Sequence, residues 1–162
     1  MDRPNQYRFH QGHKVLPFTD AEYETRLSLL RHKMNEVGID ACVLTSMHNV
    51  SYYSGFLYCS FGRPYAQVVT PTDSVTFSAG IDAAQPWRRC YGDNITYTDW
   101  QRNNYWRAIL SVTGKRKTIG YEGDHLSVSQ MDLLDKFLVP SGKIDLAPAT
   151  MLQRMQKSQA EL

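Results

Sequence analysis

The sequence predicts an α/β fold, a mixed β-sheet of about six strands with helices on its faces. Three observations lead there. Short apolar runs alternate with segments whose apolar residues recur at spacings of three and four. Capping and turn residues stand at the boundaries between them. One pair of strand-like runs is joined by a single short turn, so part of the sheet is antiparallel.

Residues 1–17 are polar and aperiodic and read as an arm lying on the surface or on a neighbour. The first helix starts after Thr19, an N-cap whose capping box Glu22 completes, with Phe18 and Tyr23 placed as a hydrophobic staple. Tyr23, Leu27, Leu30, Met34 and Val37 form one apolar stripe, and Gly38 is the left-handed stop. Residues 41–45 are a continuous apolar run, the pattern of a strand buried on both faces. Residues 66–70 and 75–79 flank Pro71-Thr72-Asp73-Ser74 and read as a hairpin. Short strands are expected at 94–99 and 117–122, with a helix over 105–112 between them. Ser127 with Gln130 caps a helix carrying Met131, Leu134 and Leu138. Residues 143–146 make a last strand, and Thr150 with Gln153 caps a terminal helix. Residues 18–149 are therefore expected to form one α/β domain, with 150–162 opening a further helix.

At 162 residues, with 42% apolar and 21% charged residues, the chain has material for a real core and none of the bias of a disordered protein. A net charge of +2 is too small to imply a nucleic-acid partner, and the basic pairs Arg88-Arg89 and Lys115-Arg116-Lys117 lie in different elements. There is no run of 18 apolar residues and no apolar leader, so neither a membrane partner nor secretion is expected, and the protein is assigned to the cytoplasm. Cys42, Cys59 and Cys90 are an odd number without Cys-x-x-Cys spacing, which suits reduced thiols rather than a disulfide framework or a zinc site.

No catalytic constellation is present. The sequence lacks a Gly-x-Gly-x-x-Gly turn, a phosphate loop and a Gly-x-Ser-x-Gly elbow, and no cofactor is expected. His10, His13, His32, His48 and His125 lack the spacing of metal ligands, so no metal is expected either. His48 reads as a capping or surface residue, and Asp124-His125 as the approach to a helix.

The densest chemical signal is the segment 49–65, where aromatic residues crowd around Gly62-Arg63-Pro64. Two readings stand on residue types alone. In one, the rings are core and Arg63 is a solvated turn residue. In the other, Arg63 is held among water-excluding rings to receive a planar carboxylate, which its guanidinium fork matches with two parallel hydrogen bonds. Trp87, Arg88, Arg89, Trp100 and Arg102 likewise read either as interface anchors or as support for a sheet edge.

Particular stretches resemble one family. Asn49…Tyr52…Gly55-Phe56 is similar to a pattern in the N-terminal domains of the creatinase–aminopeptidase P–prolidase group. Residues 58–65, Gln85-Pro86-Trp87-Arg88-Arg89 and Tyr97-Thr98-Asp99-Trp100-Gln101-Arg102 resemble its creatinase branch, the creatine amidinohydrolases. Arg154…Lys157-Ser158…Glu161 resembles the family's linker into a catalytic domain. The resemblance implies the front domain of a homodimeric enzyme that hydrolyses creatine to sarcosine and urea without a metal. Its catalytic groups would lie outside this sequence. It further implies that the domain reaches the partner's site and meets the substrate through Phe61, against the N-methyl region, and Arg63, on the carboxylate. Creatine or a related guanidino or amidino carboxylate is the implied ligand. The alternatives are the matching domain of a prolidase or aminopeptidase P acting on X-Pro peptides, and a stand-alone binding or dimerisation module.

Overall fold

A computed structural model describes residues 3–59 and 62–162. Its centre is a sheet of seven strands in the order β1-β5-β4-β3-β2-β6-β7. These are β1 (Gln6–Tyr7), β2 (Ala41–Leu44), β3 (Ala66–Val69), β4 (Ser74–Ala79), β5 (Asp93–Tyr97), β6 (Thr118–Tyr121) and β7 (Gly142–Asp145). The β2/β3 and β3/β4 pairs are antiparallel, while β4/β5, β2/β6 and β6/β7 are parallel. The sheet is mixed, as expected, and six of its strands fall on the six runs read from the sequence. The seventh comes from the arm, where Gln6 and Tyr7 pair antiparallel with β5.

Side-chain alternation divides the interior in two. In β2, Ala41 and Val43 point into one apolar cluster and Cys42 and Leu44 into the other. The helices α4 (Asn104–Thr113) and α5 (Val128–Leu138) cover the first face with Trp106, Ile109, Leu134 and Leu138. The second lies under α1 (Asp20–Val37), through Leu27, Leu30 and Met34. Both faces of the central strands are thus filled, which is why 41–45 reads as unbroken apolar sequence. Across β4 and β5 the second face is polar instead. There the fully buried Asn94 Nδ2 donates to Thr76 Oγ1 at 3.0 Å and to Ser78 Oγ at 3.2 Å.

Cap chemistry sets most helix ends. Thr19 accepts from the Glu22 amide, Ser127 from the Gln130 amide, and Gly38 closes α1 at φ 74°. Phe18 and Tyr23 meet edge-to-face with centroids 6.2 Å apart, forming the staple. Three expectations need correction. The capping box at Thr19 is half-formed, because the Glu22 carboxylate turns back to Arg26 Nε at 2.9 Å. Val37 is 37% exposed and leaves the stripe. The last helix, α6 (Ala147–Met155), starts before Thr150, since Pro148 suits its first turn and Asp145 Oδ1 accepts from the Ala147 amide at 2.9 Å. Thr150 is buried inside that helix with its hydroxyl on the Ala147 carbonyl, and Gln153 donates to the Arg26 carbonyl. Two short helices lie where no helix was expected, α2 (Met47–Ser54) and α3 (Gln85–Arg89).

Candidate substrate-binding site

The site is built on the loop between α2 and β3. Gly55 ends α2 in the left-handed region at φ 79°, and a Cβ there would lie 2.5 Å from the Tyr23 hydroxyl. The chain then places Phe56, Tyr58 and Tyr65 inward as buried residues. Tyr58 stacks on Tyr65 with centroids 4.5 Å apart, and Phe56 lies 6.0 Å from Tyr65. Hydroxyls pin this cluster to the scaffold. Tyr58 donates to the Thr45 carbonyl at 2.5 Å, Tyr65 to Asp82 at 2.6 Å, and Tyr97 to the Pro64 carbonyl at 2.9 Å. The rings are therefore core, as the first of the two readings has it.

Arg63 is the exception. Its side chain is 47% exposed and pairs through Nη1 with Asp99 Oδ1. Among the described residues, nothing engages its Nε or Nη2. Arg63 borders three cavities. One of about 160 Å³ is lined by Thr45, Tyr58, Tyr65, Tyr105 and His125, one of about 380 Å³ by Phe56, Cys59, Asp82, Gln85 and Arg89, and one of about 270 Å³ by Tyr97, Asp99 and Arg102. Phe61, the other residue assigned to substrate, lies outside the described residues.

The tyrosines of this region are donors rather than bases. Burial, with Glu122 as a lesser cause, pushes the Tyr58 phenol up to about 12. Burial and the hydrogen-bonded Asp82 raise Tyr65, while burial and then Asp99 raise Tyr97. All three stay protonated at neutral pH. Burial likewise raises the thiols of Cys42, to about 12, and of Cys90, which leaves them unreactive. Among the described residues no cluster of three or more His, Cys, Asp or Glu side chains could hold a metal ion, and no helix is long and apolar enough to cross a membrane.

The fold brings together two of the family-like blocks. Asp99 and Tyr97, from the block at 97–102, grip Arg63 and Pro64. The block at 85–89 is α3, and it faces the arm. Trp87 stacks on His10 at 4.0 Å, and Lys14 Nζ sits 3.8 Å from the same ring. His10 and Arg8 also pair with Asp93. Trp100 Nε1 donates to the Pro4 carbonyl at 2.7 Å. Trp87 and Trp100 thus support the sheet edge within the chain. Arg88, Arg89 and Arg102 take no ion-pair partner among the described residues.

Sequence reading missed Glu122. Fully buried at the end of β6, its carboxylate accepts from the backbone amides of Thr45 and Ser46, the Ser46 hydroxyl and Asn49 Nδ2. It occupies the N-terminus of α2, where free N–H groups and the helix dipole favour an anion. His125 Nδ1 joins through the Thr45 hydroxyl at 2.9 Å, and Arg154 reaches Asn49 Oδ1 from α6. An acidic residue directly after a strand, with Asn49 in a recurring pattern, was the available signal.

A family model described as the creatinase/prolidase N-terminal domain matches residues 26–156. The chain is 42% identical over 156 residues to a protein named creatinase from Bacillus sp. (strain B-0618), covering 93% of this chain and 38% of that one. The chain thus spans well under half the length of this relative. The N-terminal domain of an X-Pro dipeptidase from Streptococcus pyogenes superposes with a TM-score of 0.69 at 22% identity, over 78% of this chain and 97% of that one. A proline dipeptidase from Streptococcus pneumoniae gives a TM-score of 0.73 at 16% identity, over 81% of this chain and 98% of that one. At such identities the two structures bear on the fold alone. Given the extent of the family match, the chain belongs to the creatinase/prolidase N-terminal domain family.

Proposed function

We propose that this chain is the front domain of a creatinase-like amidinohydrolase, supplying substrate binding and dimer contacts while the reacting groups lie in a further domain. The observation that carries the reading is Arg63, fixed at one terminal nitrogen by Asp99, without a partner along its Nε–Nη2 edge among the described residues, and bordering three cavities. That edge is the bidentate half of a guanidinium, the half a carboxylate fits. The 42% identity to a creatinase supports the choice of creatine, a carboxylate at one end and a guanidinium at the other. Phe61 would pack on the N-methyl region, and the loop would serve the partner subunit's site in a homodimer. The phenols of Tyr58, Tyr65 and Tyr97, raised by burial, stay protonated at neutral pH and support the loop as hydrogen-bond donors.

Steady-state kinetics of the full-length protein on creatine test the reading. Arg63→Ala is expected to raise KM about tenfold or more, since a hydrogen bond to a charged group contributes roughly 1.5–3 kcal/mol. Arg63→Lys should recover only part, because an ammonium lacks the fork. Mixed dimers in which one subunit lacks the catalytic base and the other carries Arg63→Ala should regain activity at one site if Arg63 acts across the dimer. An Arg63→Ala enzyme with unchanged KM would return Arg63 to the status of a turn residue.

A further inference from the structure

We propose that Asp99 is a positioning residue for Arg63, holding one nitrogen of the guanidinium so that the opposite edge is presented to a carboxylate. This rests on the reading that Arg63 binds the substrate carboxylate, and it adds the group that presets it. The geometry is specific. Asp99 engages Nη1 through a single oxygen, Oδ1, and leaves the Nε–Nη2 pair without a partner among the described residues. A carboxylate clamped on Nε and Nη2 together would compete with substrate; a carboxylate on Nη1 alone leaves that bidentate edge available.

The mount beneath Asp99 is the second observation. On one side Thr98 is pinned by the arm, its amide donating to the Asn5 carbonyl at 2.9 Å and its hydroxyl to the Pro4 carbonyl at 2.9 Å. Asn104 Nδ2 donates to the same hydroxyl at 3.0 Å. On the other side Trp100 Nε1 donates to the Pro4 carbonyl at 2.7 Å. Asp99 therefore stands between two fastened residues. Arg63 is steadied as well, because the neighbouring Pro64 carbonyl accepts from Tyr97, the residue two before Asp99. Burial keeps that phenol protonated and donating. An ordinary surface ion pair gains little, because two free side chains must be ordered to make it. Here both backbones are already held, so the pair spends less entropy and can fix a direction.

Two measurements on the full-length protein test the proposal. The first is kinetics with creatine for wild type, Arg63→Ala, Asp99→Ala and Asp99→Asn. The second is the order parameter of the Arg63 Nε–H bond by nitrogen relaxation without substrate. Asp99→Ala is expected to raise KM roughly two- to fivefold, the ordinary worth of a half-exposed pair, with kcat within about twofold. Its Arg63 Nε–H should become more mobile. Asp99→Asn keeps an oxygen acceptor for Nη1 and should stay within about twofold of wild type in KM. Asp99→Ser replaces the alanine variant if that one fails to fold. A lower KM in Asp99→Ala would make Asp99 a competitor of the substrate and overturn the proposal. An unchanged KM there, with Arg63→Ala still tenfold impaired, would also overturn it while leaving Arg63 on the carboxylate. An unchanged KM in both variants, or no turnover of creatine by the wild type, would remove the underlying reading and this inference with it.

Discussion

Two arginines of this chain, Arg26 and Arg63, stand in opposite circumstances. Arg26 is buried, its side chain 4% exposed, with the rings of Phe18 and Tyr52 at 4.4 and 4.3 Å from its guanidinium carbon. Its Nε donates to Glu22 at 2.9 Å, its Nη1 to the Tyr52 carbonyl at 2.8 Å, and its Nη2 faces Glu161 at 3.6 Å. Nε and Nη1 are hydrogen-bonded, and Nη2, which makes no hydrogen bond, is buried between the Glu22 and Glu161 carboxylates, so the group is structural: it ties α1 to α2 and to the C-terminal segment. Among the described residues Arg63 has a single partner, Asp99, and an open edge. An arginine is available to a ligand in proportion to what the fold leaves unsatisfied, and aromatic neighbours alone do not tell the two cases apart.

The sharpest way to break the contrast is to truncate both and read stability. Arg26→Ala leaves Glu22 without its partner in a largely buried setting, and is expected to cost about 3–5 kcal/mol in urea unfolding. Replacing the pair together, with Arg26→Met and Glu22→Leu, should recover most of that loss. Arg63→Ala should change folding stability by no more than about 0.5 kcal/mol, its effect falling on substrate KM instead. Equal stability losses at the two positions would end the distinction.

Alkaline pH sharpens it further, because the loop under Arg63 is held by neutral hydroxyls where Arg26 is held by charge. A phenol raised to about 12 in the folded chain contributes stability that is full below its ordinary value of 10.0 and is lost as pH rises through about 12. Stability should therefore fall between roughly pH 10 and 12, and Tyr58→Phe should flatten part of that decline. The same variant should cost about 1 kcal/mol at neutral pH, the net worth of its hydrogen bond to the Thr45 carbonyl. A local effect is expected at the arm. Trp100→Phe removes one hydrogen bond to Pro4 and should lower global stability by about 0.5–1 kcal/mol, while amide exchange at Gln6 and Tyr7 quickens by more than the change elsewhere.

Much of the scaffold could be read in advance where local and global preferences agree. The run at 41–45 is apolar because β2 is buried on both faces, and the Pro71–Asp73 turn joins two strands that do pair. What escaped was decided by distant partners. Gln6 and Tyr7 become a strand only because β5 offers them an edge, and nothing in two residues announces that. Arg26 lies at helical spacing beside Tyr23 and Leu27, but its polarity hid it from the apolar stripe until the rings around it were located. Glu122 stands at the end of a strand, and its role depends on α2, a helix too short and aromatic to be read from periodicity. Of the candidate site, Arg63 stands out through its neighbours in sequence, while its pairing with Asp99, thirty-six residues away, could not be read from the block at 97–102.

Glu122 has one more consequence. Open α/β sheets generally receive ligands in the crevice beyond the carboxyl ends of their parallel strands. Here a side chain of the chain itself fills that position at the start of α2. On the proposed reading, a carboxylate on Arg63 would instead be held at a rim, beside a side chain that is 47% exposed. A contact worth roughly 1.5–3 kcal/mol falls short of the roughly 4.1 kcal/mol that even millimolar retention requires. On that reading such a rim would be half of a vise: it would lend direction and selectivity to a small molecule, and residence time would come from the opposing jaw.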